Sequence, residues 1–400
     1  MQENANAFVN KWVNFGGEHA AVHANNFRFK RQIYFRLEKY LREFLDGKPT
    51  QRLVVMPGLR GTGKTVVMHQ LHTWLRKEYL LPPHRVVYMP LDEARMFGVG
   101  LKEAFGVYEK YHLGGSALCT KDRVVLFIDE VHYDPGWALA AKTIHDYAPN
   151  VFLLITGSAA LDLALSPDIA RRARIERIFP LNFQEYLMLK YEKTLVDLKT
   201  TECLRNGFFS PDAQTAELFF REAENHCAKE IARFLPATTE TVIEDYMWFG
   251  GLPYLLSTRE FRQCVDAVLK VVQYDIPHMA NLETRTLTKL PALLLSLTTG
   301  PDVSIETLSR KLQLSQESVL QALELFTMAE LIFFVDAKGI LERSARLSRR
   351  KYFATSSITA ALLSYLGEDP GKHSGLLLET CVASHLHQWT KMETGIGLFY

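Results

Sequence analysis

Arg52-Leu-Val-Val-Met56, Pro57 and then Gly58-Leu59-Arg60-Gly61-Thr62-Gly63-Lys64-Thr65, with Val66 opening an amphipathic run, decide the fold of this 400-residue chain. An apolar strand, a glycine-rich turn ending in Gly-Lys-Thr and a helix with Val66, Val67, Leu71, Trp74 and Leu75 at helical spacing make a phosphate-binding loop. Glycines let backbone N–H groups turn inward around phosphate oxygens, where a Cβ would crowd the cavity. The helix N-terminus aims partial positive charge at the same anion. Lys64 is expected to neutralise the β- and γ-phosphates of a nucleotide, and the Thr65 hydroxyl to hold Mg²⁺.

The second element is Val124-Val-Leu-Phe-Ile128-Asp129-Glu130. A buried strand ending in two carboxylates is costly unless those charges meet a cation at the carboxyl edge of a sheet. Asp129 is the expected Mg²⁺ partner, and Glu130 is placed to polarise the water that attacks the γ-phosphate. A carboxylate directly after the metal-binding aspartate marks the glutamate-using branch of phosphate-loop ATPases. No Asn-Lys-x-Asp guanine-reading motif occurs, which favours ATP. Ile155-Thr156-Gly157-Ser158 follows at the end of the next strand, with Thr156 the first choice for a polar sensor of the γ-phosphate and Ser158 the second, a helix N-cap being the alternative for Ser158. His132 either orients a water, couples nucleotide state to a partner, or packs in its loop. Arg171, Arg172, Arg174 and Arg177 lie within seven residues. One of them, with Arg171 or Arg172 preferred, is a candidate finger on the transferring phosphoryl group, in cis or from a neighbouring subunit; a solvated surface is the alternative.

Around these motifs, residues 52–187 alternate short apolar strands with helices. Strands are predicted at 52–56, 85–89, 124–128 and 151–155, with a short fifth at Arg177–Phe179. Fully apolar strands between helices predict a parallel sheet covered on both faces. The expected architecture is an α/β phosphate-loop NTPase core with a parallel sheet, followed by a helical segment and a winged helix-turn-helix domain. In residues, this gives a helical lead-in (1–50), the ATPase domain (51–190), a helical bridge (191–285), a winged helix (286–367) and a last segment (368–400). The winged helix rests on three short helices (290–297, 305–311, 315–326) and two strands (331–335, 351–353) flanking a basic loop.

Apolar residues make up 48% and charged residues 23%, with a formal net charge of +1, so attraction to nucleic acid has to be local. Nothing approaches the ~18 uninterrupted apolar residues of a membrane span. Met-Gln-Glu-Asn-Ala lacks the regions of a signal peptide, and the cysteines at 119, 203, 227, 264 and 381 have no CxxC spacing. The expected compartment is the cytoplasm. No catalytic triad, metal-ligand cluster or dinucleotide fingerprint competes with the phosphate-loop site.

Gly58–Thr65, Phe127-Ile-Asp-Glu130 with Trp137, Ile155-Thr-Gly-Ser158, Ala170-Arg-Arg172 and Phe179-Pro-Leu-Asn-Phe183 occur in this order. Phe249-Gly-Gly-Leu-Pro253 and Gly375-Leu-Leu-Leu-Glu379 follow them. This series resembles prokaryotic AAA-type ATPases that join an N-terminal phosphate-loop domain to a poorly characterised C-terminal region. The resemblance implies a winged helix and then a fold like restriction endonucleases. Leu376–Trp389 resembles the first helix of that fold, with Glu379 in the matching position. The metal-binding acids and lysine would come later than Tyr400, so no nuclease activity is expected of these residues.

The predicted wing carries Lys338, Arg343, Arg346, Arg349, Arg350 and Lys351 against Glu342, a hairpin suited to non-specific DNA phosphates. The candidate recognition helix, 315–326, has no lysine or arginine and offers only Gln316 and Gln321 to a base edge. A structural or protein-binding winged helix is therefore the alternative. Two functions follow from the sequence. One is an ATPase that remodels or regulates DNA or a protein partner, with an oligomer required for an arginine acting in trans. The other is a slow nucleotide-gated switch whose helical half docks a protein partner.

Overall fold

The computed structural model describes residues 2–27, 29–118, 120–157, 167–192, 198–234, 239–279, 282–336, 349–392 and 398. Its contacts divide the chain into two units. The first comprises residues 1–179, 271–287 and 321–331, and the second 180–270, 288–320 and 332–400.

In the first unit the helices α1 (Gln2–Asn25) and α2 (Gln32–Leu45) precede β1 (Leu53–Pro57) and α3 (Lys64–Glu78). Next come β2 (Val86–Pro90), α4 (Leu91–Met96), α5 (Leu101–His112), β3 (Val124–Asp129) and α6 (Trp137–Tyr147). β4 (Val151–Gly157), α7 (Pro167–Ala170) and β5 (Ala173–Ile175) complete the run. The five strands form one sheet in the order β2-β3-β4-β1-β5, and every pairing is parallel. β1 to β4 are buried along their whole length, the consequence of near-continuous Val, Leu, Ile and Phe on both faces. β4 lies between β1 and β3, so Gly58 and Asp129 leave the same carboxyl edge on strands separated by one neighbour.

The fifth strand departs from expectation. It is Ala173–Ile175 rather than Arg177–Phe179, in register with Leu53–Val55. Past it the chain keeps following β1 through the Glu176 and Ile178 amides, which donate to the Val55 and Pro57 carbonyls at 2.9 and 3.0 Å. There the Ile178 carbonyl comes so close to Gly58 that a Cβ on Gly58 would sit 2.4 Å from it. That approach ends the strand and also requires glycine at the start of the phosphate loop.

The lead-in helices belong to the same core. Phe8, Val9, Trp12 and Val13 of α1 and Ile33, Tyr34, Leu37 and Leu41 of α2 are buried in one continuous apolar cluster with the sheet. α1 brings His19 and His23 against His69 of α3, with ring centroids 5.1 and 5.2 Å apart. His72, one helical turn on, has its Nε2 3.0 Å from the Val86 carbonyl oxygen.

The second unit is helical. α8 (Phe183–Tyr191), α9 (Leu198–Phe208) and α10 (Ala213–Phe234) lead to α11 (Thr239–Asp245), α12 (Pro253–Thr258) and α13 (Phe261–Lys270). α8 starts on a capping box in which the Asn182 side chain accepts from the Glu185 amide. After α14 (Ile276–Met279), grouped with the first unit, come α15 (Thr284–Ser296), α16 (Ile305–Leu312) and α17 (Gln316–Met328). β6 (Ile332–Asp336) and β7 (Arg349–Phe353) pair antiparallel, and α18 (Ser356–Tyr365) and α19 (Ser374–Met392) close the chain. Residues 321–331, which include most of α17, are grouped with the first unit. The Phe249-Gly-Gly-Leu-Pro253 motif is a packing joint. The Gly251 amide donates to Ser357 Oγ at 2.9 Å, and a Cβ on Gly251 would lie 2.0 Å from Thr355 Oγ1.

The buried histidines make stability pH-dependent. Burial, reinforced by His19, His23 and His72, pulls His69 from 6.5 to about 3. Burial pulls His72 to about 4 against the opposing bond to Val86. Both are neutral in the fold, while the unfolded chain binds protons below about pH 6.5. Their contribution is therefore complete above that pH and is lost as pH falls toward the folded values. Each should cost about 1.4 kcal/mol at pH 5.5. Urea melts between pH 7.5 and 5.5 should show this loss, and His72→Gln, which can keep the bond to Val86, should reduce the slope.

Candidate functional site

At the carboxyl edge of β1 the chain turns through Gly61 and Gly63 at φ of 85° and 93°, left-handed geometry that glycine adopts without strain. Gly63 is the N-cap of α3, so the amides of the first helical turn open toward the loop. The Thr62 side chain is buried and donates to the Leu59 carbonyl at 2.8 Å. Lys64, 5% exposed, lies back along the loop and donates to the carbonyls of Gly58 and Leu59 at 2.9 and 3.3 Å. Val66 follows in the first turn of α3 and is half-buried.

Behind the loop sits a residue that the motifs did not reveal. Arg31, the N-cap of α2, is buried and donates to the carbonyls of Thr62 at 2.7 Å and Phe179 at 2.9 Å. A buried guanidinium has to be hydrogen-bonded to be tolerated, and here its bonds fix the back of the phosphate loop to the chain leaving β5.

Asp129 is 2% exposed. Its Oδ2 accepts from Thr65 Oγ1 and from the Tyr88 hydroxyl, both at 2.8 Å. Its Oδ1 accepts from Thr156 Oγ1 and, at 3.1 Å, from the Glu130 amide. Burial and the adjacent Glu130 raise its pKa, and the three hydroxyl donors oppose that shift. Thr156 is fully buried and donates its hydroxyl hydrogen to Asp129 Oδ1. Ser158 lies outside the described residues.

Glu130 takes a left-handed conformation at φ 53°, ψ 46°, uncommon for a side chain with a Cβ. Strain of this kind clusters at functional sites. Its Oε2 lies 3.2 Å from His132 Nδ1. Burial would raise the Glu130 pKa, but the His132 bond and the Lys64 charge outweigh it and hold the group ionised. His132 is thus a partner of the second carboxylate rather than a loop-packing residue alone.

A further acid reaches the site from far along the chain. Asp275, buried at the end of a wide helical turn (Val271–Asp275), lies 3.5 Å from the Arg60 guanidinium. Burial raises its pKa, and the charges of Arg60, His132, Glu130 and Lys64 all act on it. No motif announces Asp275, which lies more than 200 residues beyond the loop that it faces.

The arginines stand elsewhere. Arg172 pairs with Asp146 at 2.7 Å, and its carbonyl accepts from Gln51 Nε2 at 2.9 Å, at the amino edge of the sheet. Arg171 is exposed in the same turn. A strand of this length separates that edge from the phosphate loop by roughly 17 Å. The expectation that Arg171 or Arg172 acts in cis is therefore corrected: the turn before β5 faces the wrong edge. Arg174 bonds Glu176 at 3.0 Å, and Arg177 bonds Glu330.

The basic ribbon is corrected in part. Lys351 is buried, donates to the Leu297 carbonyl and has its pKa lowered to about 7 by burial. It cannot serve as a phosphate contact. Arg349 pairs with Asp336 at 2.7 Å, and Arg350 with Glu379 at 3.1 Å. Lys338, Arg343 and Arg346 lie outside the described residues. Glu379 also accepts from the Tyr352 hydroxyl at 2.7 Å. No group of three or more His, Cys, Asp or Glu suited to a metal occurs among the described residues. No described helix is long and apolar enough to cross a membrane.

Residues 50–187 match the family model described as an AAA domain, and residues 240–369 match one described as a domain of unknown function. An uncharacterized protein of Methanocaldococcus jannaschii is 27% identical over 93% of this chain and 75% of its own length. Among solved structures, the Walker-type ATPase of Pyrococcus abyssi is 12% identical with a TM-score of 0.41, covering 84% of this chain and 95% of that one. The Aeropyrum pernix ORC1 protein, solved in complex with DNA, is 16% identical with a TM-score of 0.35, covering 83% and 91%. The family match over residues 50–187 and the five-stranded parallel sheet make the α/β unit a phosphate-loop core of the AAA type, and a helical region follows it.

The Arg60–Asp275 pair generates a testable consequence. A buried acid beside the loop opposes an incoming polyanion, so Asp275→Asn should tighten ATP binding roughly fivefold at low salt, with the gain shrinking as salt screens it. Fluorescent-nucleotide titration at two ionic strengths checks this.

Proposed function

We propose that the first unit binds ATP with Mg²⁺ and hydrolyses it to ADP and phosphate. The observation that carries the reading is the buried Asp129 carboxylate, which meets the hydroxyl of the phosphate-loop Thr65 at 2.8 Å while the ionised Glu130 follows it in the chain. Asp129 and Thr65 offer hard oxygen donors of the kind that Mg²⁺ prefers, and would hold it. When bound, the cation would neutralise charge on the β- and γ-phosphates. Gly58 to Val66 would cradle the phosphates, with Lys64 exchanging its bonds to the loop carbonyls for phosphate oxygens.

Glu130 is the group proposed to act on the attacking water. Held as an anion by His132, it is a weak proton acceptor, and its role is to orient and polarise the water rather than to carry the proton away early. Thr156 is proposed to support Asp129, and the in-cis arginine finger is dropped. Turnover would then be coupled to remodelling or regulation of a partner through the helical second unit.

Steady-state hydrolysis with nucleotide titration tests this. Glu130→Gln should lower kcat by about 10²–10⁴-fold with ATP affinity kept. Lys64→Ala should weaken binding itself. Negligible turnover of the wild type would sink the enzyme reading and leave the nucleotide-gated switch. DNA is the partner to test first, because the sequence between β6 and β7 is rich in lysine and arginine, a composition suited to phosphate contacts. A rate stimulated by duplex DNA and lost in the Arg343→Ala, Arg346→Ala variant would support a nucleic-acid partner. An unstimulated rate would favour a protein, with the three helices and ribbon as a protein-binding winged helix.

A further inference from the structure

We propose that Tyr88 is a positioning residue for the magnesium-binding carboxylate, and that the wall formed by α1 and α3 fixes its aim. The inference rests on the reading of this site as an ATP site and adds a residue that neither the loop nor the acidic motif contains.

Asp129 Oδ2 has two donors, and only Thr65 belongs to the phosphate loop. Tyr88 comes from the adjoining strand. Its register partner is Phe127, two residues before Asp129, so Phe127 and Asp129 point to the same face of β3. A tyrosine at that level is long enough to reach the diagonal neighbour, and its hydroxyl lies 2.8 Å from the carboxylate. The side chain is buried, so the phenol cannot exchange this bond for water.

The ring is gripped on several sides within the first unit. His69 meets it at a centroid distance of 4.6 Å and Trp12 at 5.2 Å, both nearly edge-on, and His19 stacks at 6.2 Å. His69 is 1% exposed, and neither of its ring nitrogens has a hydrogen-bond partner among the described residues. It therefore acts on Tyr88 through shape alone. With its ring locked, the hydroxyl can only point at Asp129. This holds the carboxylate in the rotation that presents the remaining lone pair of Oδ2 toward Thr65. Donors of this kind to a ligating carboxylate are typically worth 10- to 100-fold in metal affinity.

Binding of a fluorescent ATP analogue to the full chain, titrated with Mg²⁺, tests the proposal without requiring turnover. Tyr88→Phe keeps the ring and removes the donor. It should raise the half-saturating Mg²⁺ concentration about tenfold, and kcat at saturating Mg²⁺ should recover to within about threefold of wild type. His69→Ala should shift the midpoint in the same direction, with His69→Phe restoring it; this series carries the test if Tyr88→Phe fails to fold by circular dichroism. An unchanged midpoint in Tyr88→Phe overturns the proposal and leaves the ATPase reading intact. So does a loss of kcat that no Mg²⁺ concentration repairs. A wild-type chain whose nucleotide binding ignores Mg²⁺ would overturn the underlying reading instead.

Discussion

A carboxylate buried at the carboxyl edge of the sheet is the constraint around which the first unit is organised. Asp129 is expensive to desolvate, and four donors converge on it from the phosphate loop, β2, β4 and its own chain neighbour. Each donor needs its strand or helix at the correct height. The order β2-β3-β4-β1 supplies that, because β3 has β2 on one side and β4 on the other, with β1 and its loop one strand further. The apolar strands stabilise the sheet, but the polar convergence decides which residues may stand at its edge.

Much of this was legible in the sequence because it is local. The glycines of the loop, the Asp129-Glu130 pair and the apolar strands are each recognisable from a few adjacent residues. The unread parts arise where distant segments meet. Arg31 bonds Thr62 and Phe179, Tyr88 bonds Asp129, and Asp275 faces Arg60; none of these pairs has a spacing that a motif could encode. The arginines between 171 and 177 look like a finger because charge density is visible in a sequence and sheet edges are not. Arg172 lies at the amino edge because β5 starts at Ala173, four residues before the predicted strand. Lys351 misleads in the same way. It counts among the charges of the basic wing, yet its side chain is buried and donates to the Leu297 carbonyl.

The second unit uses its polar groups for internal joints. Tyr186 and Lys190 both bond Asp245, and Arg259 bonds the same carboxylate. Arg350 and Tyr352 converge on Glu379 in the same manner. The glycine pair at 250–251 is explained by close approach, with Tyr246 and Tyr186 crowding the first glycine and Thr355 and Ser357 the second. The Phe249-Gly-Gly-Leu-Pro253 motif is therefore accounted for by packing.

The placement of α1 and α2 has a practical consequence. The family match begins at residue 50, a natural point at which to start a shortened chain. Such a chain would lack Phe8, Trp12, Tyr34 and Leu37, which share one apolar cluster with Val54, Met56 and Leu71. It would uncover the faces of β2 and α3 that α1 covers, and open Tyr88 to water from the side that Trp12 and His19 occupy. A boundary drawn by similarity thus cuts through a single core. An isolated segment from residue 50 onward would be an aggregation-prone fragment rather than a minimal nucleotide-binding domain.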